Sequence, residues 1–164
     1  MLELQALKMS RGRHKEKTLE ALKNANEAMV VGWKNGDLLA VARADIVFHR
    51  SVVENCGNQC LRESYELISG RLDSIRTRIS LALGDVRTRA IKEHQAMIGA
   101  LEKNNVSRAR AVLSLHISKS LAWFDMACKQ GLLTAPHRSV ASPYANLSLE
   151  EGGGSSVSFQ TGDK

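Results

Sequence analysis

The chain has 164 residues, which is enough for one domain with a hydrophobic core but few for two. Its hydrophobic content of 43% is ordinary for a soluble protein, and no run approaches the roughly 18 consecutive apolar residues of a membrane-spanning helix. The formal charge of +6 is scattered among acidic residues, and an aromatic content of 4% argues against a base-stacking surface for single-stranded nucleic acid. Since the first residues carry no secretory signal, the composition predicts a cytoplasmic protein.

Helical periodicity runs through most of the chain, and turn residues stand where each helix should end. After the first helix, Gly36 can adopt the left-handed cap conformation and Asp37 can cap the next helix. The predicted helices are Lys15–Lys34, Leu38–Asn55, Gln59–Leu83, Val86–Lys103 and Val106–Gln130. The short turns between them predict an all-α fold, an antiparallel bundle of about five to seven helices.

The two ends of the chain fall outside this predicted bundle, which covers residues 15–134. Residues 1–14 show only a weak apolar pattern, which predicts a linker remnant or a partial helix. Beyond Ala135 serine, proline and glycine dominate, and a disordered tail is predicted over residues 135–164.

Three histidines and one aspartate complete the apolar faces of three predicted helices. Asp45 and His49 stand four residues apart, so their side chains share one helix face at about 6 Å. His94 and His116 lie on the inward faces of the fourth and fifth predicted helices. A carboxylate buried among apolar side chains needs a cation or several donors. The four residues therefore predict a divalent metal site in a central cavity of the bundle.

Each of these residues also has an ordinary structural interpretation. A lone inward histidine is more often a hydrogen-bonded core residue than a ligand, and an aspartate and a histidine four apart are more often an ordinary helix pair. The coincidence of all four in so short a body favours the metal site. Nitrogen-rich donors fit zinc, with nickel as the alternative, better than calcium or magnesium.

The same residues carry a resemblance to a known family. The strings Asp45-Ile46-Val47-Phe48-His49 and Gly57-Asn58-Gln59-Cys60-Leu61 resemble the D-x-x-F-H…G-N-x-x-L signature of the FCD-type effector domain in FadR-like GntR transcription regulators. Two further segments of the chain resemble later motifs of that family. They are Glu93-His94 with Ala100-Leu101, and Ala109-Arg110-Ala111 with Leu115-His116-Ile117. The resemblance covers roughly residues 19–120.

The resemblance implies a ligand set and an effector. In metal-dependent members of the family, an aspartate and three histidines hold a divalent cation inside a helical bundle. By motif, the ligands here are Asp45, His49, His94 and His116. The effector is then a small carboxylate, an organic or sugar acid, that coordinates the metal. Arg71 and Arg78, beside the apolar face of the third predicted helix, are candidates to bind the same carboxylate.

The resemblance also implies homodimers and control of DNA binding by a winged-helix domain. Nothing upstream of Lys15 can encode a winged helix of about seventy residues, so the sequence predicts no DNA binding by this chain itself. Both a fragment of a regulator and a stand-alone sensor fit this pattern.

Two other functions remain open from the residues alone. Three histidines around a metal with an open position are also found in zinc hydrolases. The neighbouring Glu93, the obvious general base, is expected to face away from the metal because adjacent helical residues diverge by about 100°. A non-enzyme is therefore predicted. The other alternative is a helical interaction domain that holds no metal and whose inward polar residues pair with one another.

Overall fold

The turn residues divide the chain into helices close to the predicted bounds. The computed structural model describes residues 2–10, 13–82 and 84–131. Within these ranges the helices are α1 (Leu2–Met9), α2 (Arg13–Lys34), α3 (Leu38–Glu54), α4 (Gln59–Ala82), α5 (Gly84–Glu102) and α6 (Val106–Lys129). They form an all-α bundle, which confirms the predicted fold class. The tail predicted over residues 135–164 lies outside the described residues.

The helix ends follow from side-chain capping and from glycine. Gly36 has a φ of 70°, a left-handed conformation that lets the chain leave α2. The Asp37 carboxylate accepts a hydrogen bond from the Ala40 amide at 2.9 Å and caps α3, as predicted. Asn105 caps α6 in the same way by accepting from the Arg108 amide at 2.9 Å. Such caps are each worth about 1 kcal/mol.

The first helix is docked against the bundle. Its inward positions are Glu3, Ala6, Leu7 and the following Ser10, which are all buried and follow the spacing of an amphipathic helix. α1 packs against α3, α4 and α6. Of the two alternatives predicted for residues 1–14, the structure therefore contains a short helix over Leu2–Met9.

The main hydrophobic core joins all six helices of the described residues. Its larger side chains are Leu7, Leu22, Phe48, Val52, Tyr65, Met97, Ile98, Leu101 and Leu113. A smaller cluster of Met29, Val41, Ala44 and Ala90 joins α2, α3 and α5. Each fully buried aliphatic or aromatic side chain contributes about 1.5–3 kcal/mol, so the helices that carry the inward histidines are held firmly. No described helix is both long enough and apolar enough to cross a membrane.

Candidate metal centre

Four polar side chains converge from three helices. Asp45 and His49 come from α3, His94 from α5 and His116 from α6, and one ligand atom from each lies within 4.8 Å of the others. Asp45 Oδ1 is 4.0 Å from His49 Nε2 and 3.7 Å from His94 Nε2. The three histidines are almost completely buried, and the side chain of Asp45 is 13% exposed. The residues that the sequence singled out as a ligand set thus meet around a common point.

Carboxylates outside the cluster determine which ring nitrogens face inward. Glu3 Oε2 accepts from His49 Nδ1 at 2.7 Å, and Glu93 Oε2 accepts from His116 Nδ1 at 2.9 Å. With Nδ1 of each ring acting as the donor, Nε2 of both rings points into the cluster. The two Nε2 atoms are only 3.2 Å apart. Two nitrogens this close need a proton or a metal ion between them, so the geometry is compatible with a bound metal ion.

The protonation states of His49 and His94 also favour metal binding. Burial lowers the pKa of His49, and the positive charge of Arg76 adds to this effect, while Glu3 and Asp45 oppose it. Burial also lowers the pKa of His94 well below 6.5, and the neighbouring His116 and His49 lower it further. These two imidazoles are therefore neutral at neutral pH, which is the form that binds a metal.

His94 supplies the sharpest test of whether the residues fit a metal. Both of its ring nitrogens are buried and have no hydrogen-bond partner among the described residues. The ring is held in place by Phe48, which stacks on it with centroids 3.6 Å apart and planes within 4°. A buried polar atom without a partner costs about 1–3 kcal/mol, and a bond from Nε2 to a transition metal would remove the cost for that nitrogen. The donor set and this nitrogen fit such an ion.

An outer network anchors Glu3, the carboxylate behind His49. Arg76 Nη2 donates to Glu3 Oε1 at 2.6 Å, and the Tyr65 hydroxyl donates to the same oxygen at 3.3 Å. Burial raises the pKa of the Glu3 carboxyl, but His49 and Arg76 outweigh it and bring this pKa to about 2. Glu3 is therefore a buried anion that fixes the orientation of the His49 ring. Sequence reasoning missed it, although Glu3, Ala6, Leu7 and Ser10 follow an amphipathic spacing that could have shown it.

Glu93 plays the matching part behind His116. It does not belong to the converging cluster, but accepts from His116 and, at 2.6 Å, from Lys119 Nζ. The hydrogen bond from His116 is the main reason why the pKa of Glu93 falls to about 2, against the opposing effect of burial. The sequence predicted its direction away from the metal but not this supporting contact. The glutamate of the Glu93-His94 segment thus orients a histidine on a different helix.

A pocket lies beside the cluster, with a cavity volume of about 80 Å³. Asp45, His49 and His116 form part of its lining, and two arginines, Arg76 and Arg87, also line it.

The arginines predicted from the sequence are placed differently. Arg71 is exposed and Arg78 is partly buried, and among the described residues neither lines the pocket. The lining face of α4 consists of Leu72, Ile75, Arg76, Ile79 and Ser80. Arg71 and Arg78 each stand one position off this face, which turns their side chains by about 100°.

The chain matches the model of a known protein family. The family model of the FCD domain matches residues 1–119 of the chain. The matched range includes α1 with Glu3 and all four converging residues, and it ends within α6. No curated protein sequence is significantly similar to this chain.

Proposed function

Because this chain belongs to the FCD domain family, the effector-binding domains of GntR-type transcription regulators, we propose that it is a metal-dependent sensor of a small carboxylate. Binding of this effector would control DNA binding by a winged-helix domain. Membership of this family supports an effector-binding role. To the family membership the proposal adds a bound metal, a carboxylate effector and a change in DNA binding when the effector binds.

The observation that carries the proposal is the arrangement of inward nitrogens. Nε2 of His49 and Nε2 of His116 face each other at 3.2 Å, and His94 contributes a buried nitrogen without a hydrogen-bond partner in the described part of the chain. Together with Asp45 these residues would hold a divalent transition metal, zinc first and nickel as the alternative. When bound, the ion supplies a Lewis acid with an open position for a ligand oxygen.

The pocket supports the choice of a carboxylate. Its lining includes three of the four cluster residues, so a molecule in the pocket reaches the proposed metal. Arg76 and Arg87 lie in the same lining, and Arg87 favours an anion because the Arg76 charge is already paired with Glu3. In the proposal Arg87 takes the part that the sequence assigned to Arg71 and Arg78.

Assembly and location complete the proposal. Regulators of this family commonly form homodimers, and a regulator that acts on DNA in the cytoplasm fits the composition of the chain. We propose no catalytic activity. Glu93, the carboxylate that a hydrolase would use as general base, already accepts hydrogen bonds from His116 and Lys119.

Metal analysis tests the proposed centre directly. Protein purified without added metal should contain close to one equivalent of zinc or nickel, and His94→Ala should lose most of it. His14→Ala is the matched control, because His14 is an exposed histidine outside the cluster and should leave the metal content unchanged. Metal-free protein that stays metal-free when zinc is supplied would contradict the proposal. Hydrolysis of esters or amides by the metal-loaded protein would contradict its non-catalytic part.

A further inference from the structure

The walls of the pocket are largely apolar. Besides Asp45, His49 and His116, the polar residues of the lining are Arg76, Ser80, Arg87 and Ser120. All other lining residues are apolar: Met29, Val41, Leu72, Ile75, Ile79, Val86, Ala90, Ile117 and Leu121. A ligand hydroxyl placed against such a wall loses its hydrogen bonds to water and finds few replacements. The wall therefore favours a ligand whose body carries no hydroxyl groups.

The two arginines of the lining are not equivalent. Arg76 is already engaged by Glu3 and by the Tyr65 hydroxyl. Arg87 is buried, with 8% of its surface exposed, and its guanidinium lies 5.4 Å from the centre of the Trp33 ring. Its Nη1 donates to the Ser80 carbonyl, while its Nε has no hydrogen-bond partner among the described residues. Arg87 thus retains a buried donor for an anion.

The charges and the size of the pocket limit the ligand further. The Arg76 charge is matched by Glu3, so Arg87 and the proposed metal are the positive groups left to a bound anion. A carboxylate can use these groups, whereas the apolar side chains of the wall offer no hydrogen-bond partner to a hydroxyl group. The cavity of about 80 Å³ has room for about five to eight water-sized groups.

We propose that the ligand is a short carboxylic acid with an apolar body, rather than a sugar acid. Its carboxylate faces the cluster of Asp45, His49 and His116, and its hydrocarbon part lies against α4, α5 and α6. This inference rests on the proposed function, since it takes carboxylate binding at the metal as given. It adds the chemical class of the acid.

Titration calorimetry on the zinc-loaded full chain tests this class. The probes are pentanoate, gluconate as a polyhydroxylated acid, and pentanamide as the uncharged analogue. Pentanoate should bind at least about tenfold more tightly than the other two, because only it combines a carboxylate with an apolar body. Equal or tighter binding of gluconate would overturn the inference and leave the proposed function standing. Failure of every acid to bind zinc-loaded protein would contradict the proposed function itself.

A pair of variants on one helix tests contact with the wall. Leu121 lines the pocket and is 57% exposed, whereas Leu115 is 55% exposed and is not among the lining residues of the described chain. Since both side chains are half in solvent, Leu121→Asn and Leu115→Asn should fold. Leu121→Asn should weaken pentanoate binding by roughly three- to tenfold and leave acetate binding unchanged, and Leu115→Asn should alter neither. Unchanged pentanoate binding in Leu121→Asn would overturn the inference, as would an equal loss for acetate.

Discussion

At the scale of single residues, the centre depends on carboxylates that do not point into it. Glu3 and Glu93 accept the Nδ1 protons of His49 and His116 and so turn the Nε2 lone pairs inward. Each is fixed in turn by a cation, Arg76 behind Glu3 and Lys119 behind Glu93. Outer partners of this kind typically contribute 10–100-fold, roughly, to metal affinity. Substitution of these outer carboxylates should therefore change the metal affinity of the proposed centre while all four proposed ligands stay in place.

Glu3→Gln tests this dependence. The amide keeps the size of the side chain but loses the charge that favours Nδ1 as the donor, so zinc affinity should fall by about 10–100-fold. Competition with a chelating indicator measures the change. Glu102→Gln is the control, because Glu102 pairs with Lys23 at the exposed surface and should leave zinc affinity unaltered. If both variants bound zinc like the parent, Glu3 would be only a structural anion.

Phe48 links the core to the centre through its stack on His94. It is fully buried, and the plane of its ring lies within 4° of the plane of the His94 imidazole. Phe48→Leu should lower the free energy of unfolding by about 1–3 kcal/mol and also weaken zinc binding, because the His94 ring loses its support. Chemical denaturation and chelator competition measure the two effects. Val52→Ala, another truncation in the same core, should lower stability alone.

At the scale of helices, α1 is the element most dependent on its surroundings. It has only eight residues, well below the roughly 12–15 that an isolated helix needs in water. Its docking rests on Ala6 and Leu7 in the core and on the Glu3 contact with His49 and Arg76. Because one of these contacts is to a proposed metal ligand, metal binding and the docking of α1 should be coupled.

This coupling is reciprocal by thermodynamic necessity. If Glu3 raises zinc affinity by about 10–100-fold, then zinc should slow the hydrogen exchange of the α1 amides by a similar factor. Exchange measured with and without zinc checks this, and in Glu3→Gln the effect of zinc on α1 should largely disappear. Exchange of α1 that is the same with and without zinc would show that the helix docks independently of the centre.

The helices also show what the sequence could and could not predict. The spacing of Asp45 and His49 predicted a shared face, because a helix returns to one side after four residues, and capping residues predicted the bounds of α3. α1 was missed as a docked helix, since eight residues give little periodicity and its inward face includes the charged Glu3. The buried charge of Glu3 is stabilised by His49 and Arg76, which lie far from it in sequence.

At the scale of the whole molecule, the pocket depends on how five helices cross, which no local pattern reports. Its lining draws on α2, α3, α4, α5 and α6. The sequence placed Arg71 and Arg78 near the cavity, but the structure turns Arg76 into it and brings Arg87 from another helix. A shift of one or two positions along a helix is enough to move a side chain from the cavity to the surface. The convergence of Asp45, His49, His94 and His116 was easier to predict, because all four lie on inward helix faces.

Removal of the metal should destabilise the whole bundle, because the proposed ion joins α3, α5 and α6. A ligand at a thousand times its Kd stabilises a fold by about 4 kcal/mol, which for a chain of this size corresponds to a fall in Tm of about 10 °C or more on chelation. Calorimetric scans with zinc and with a chelator measure the difference. His94→Ala should have a lowered Tm that the chelator hardly changes. An equal chelator effect in parent and variant would mean that zinc acts elsewhere on the chain.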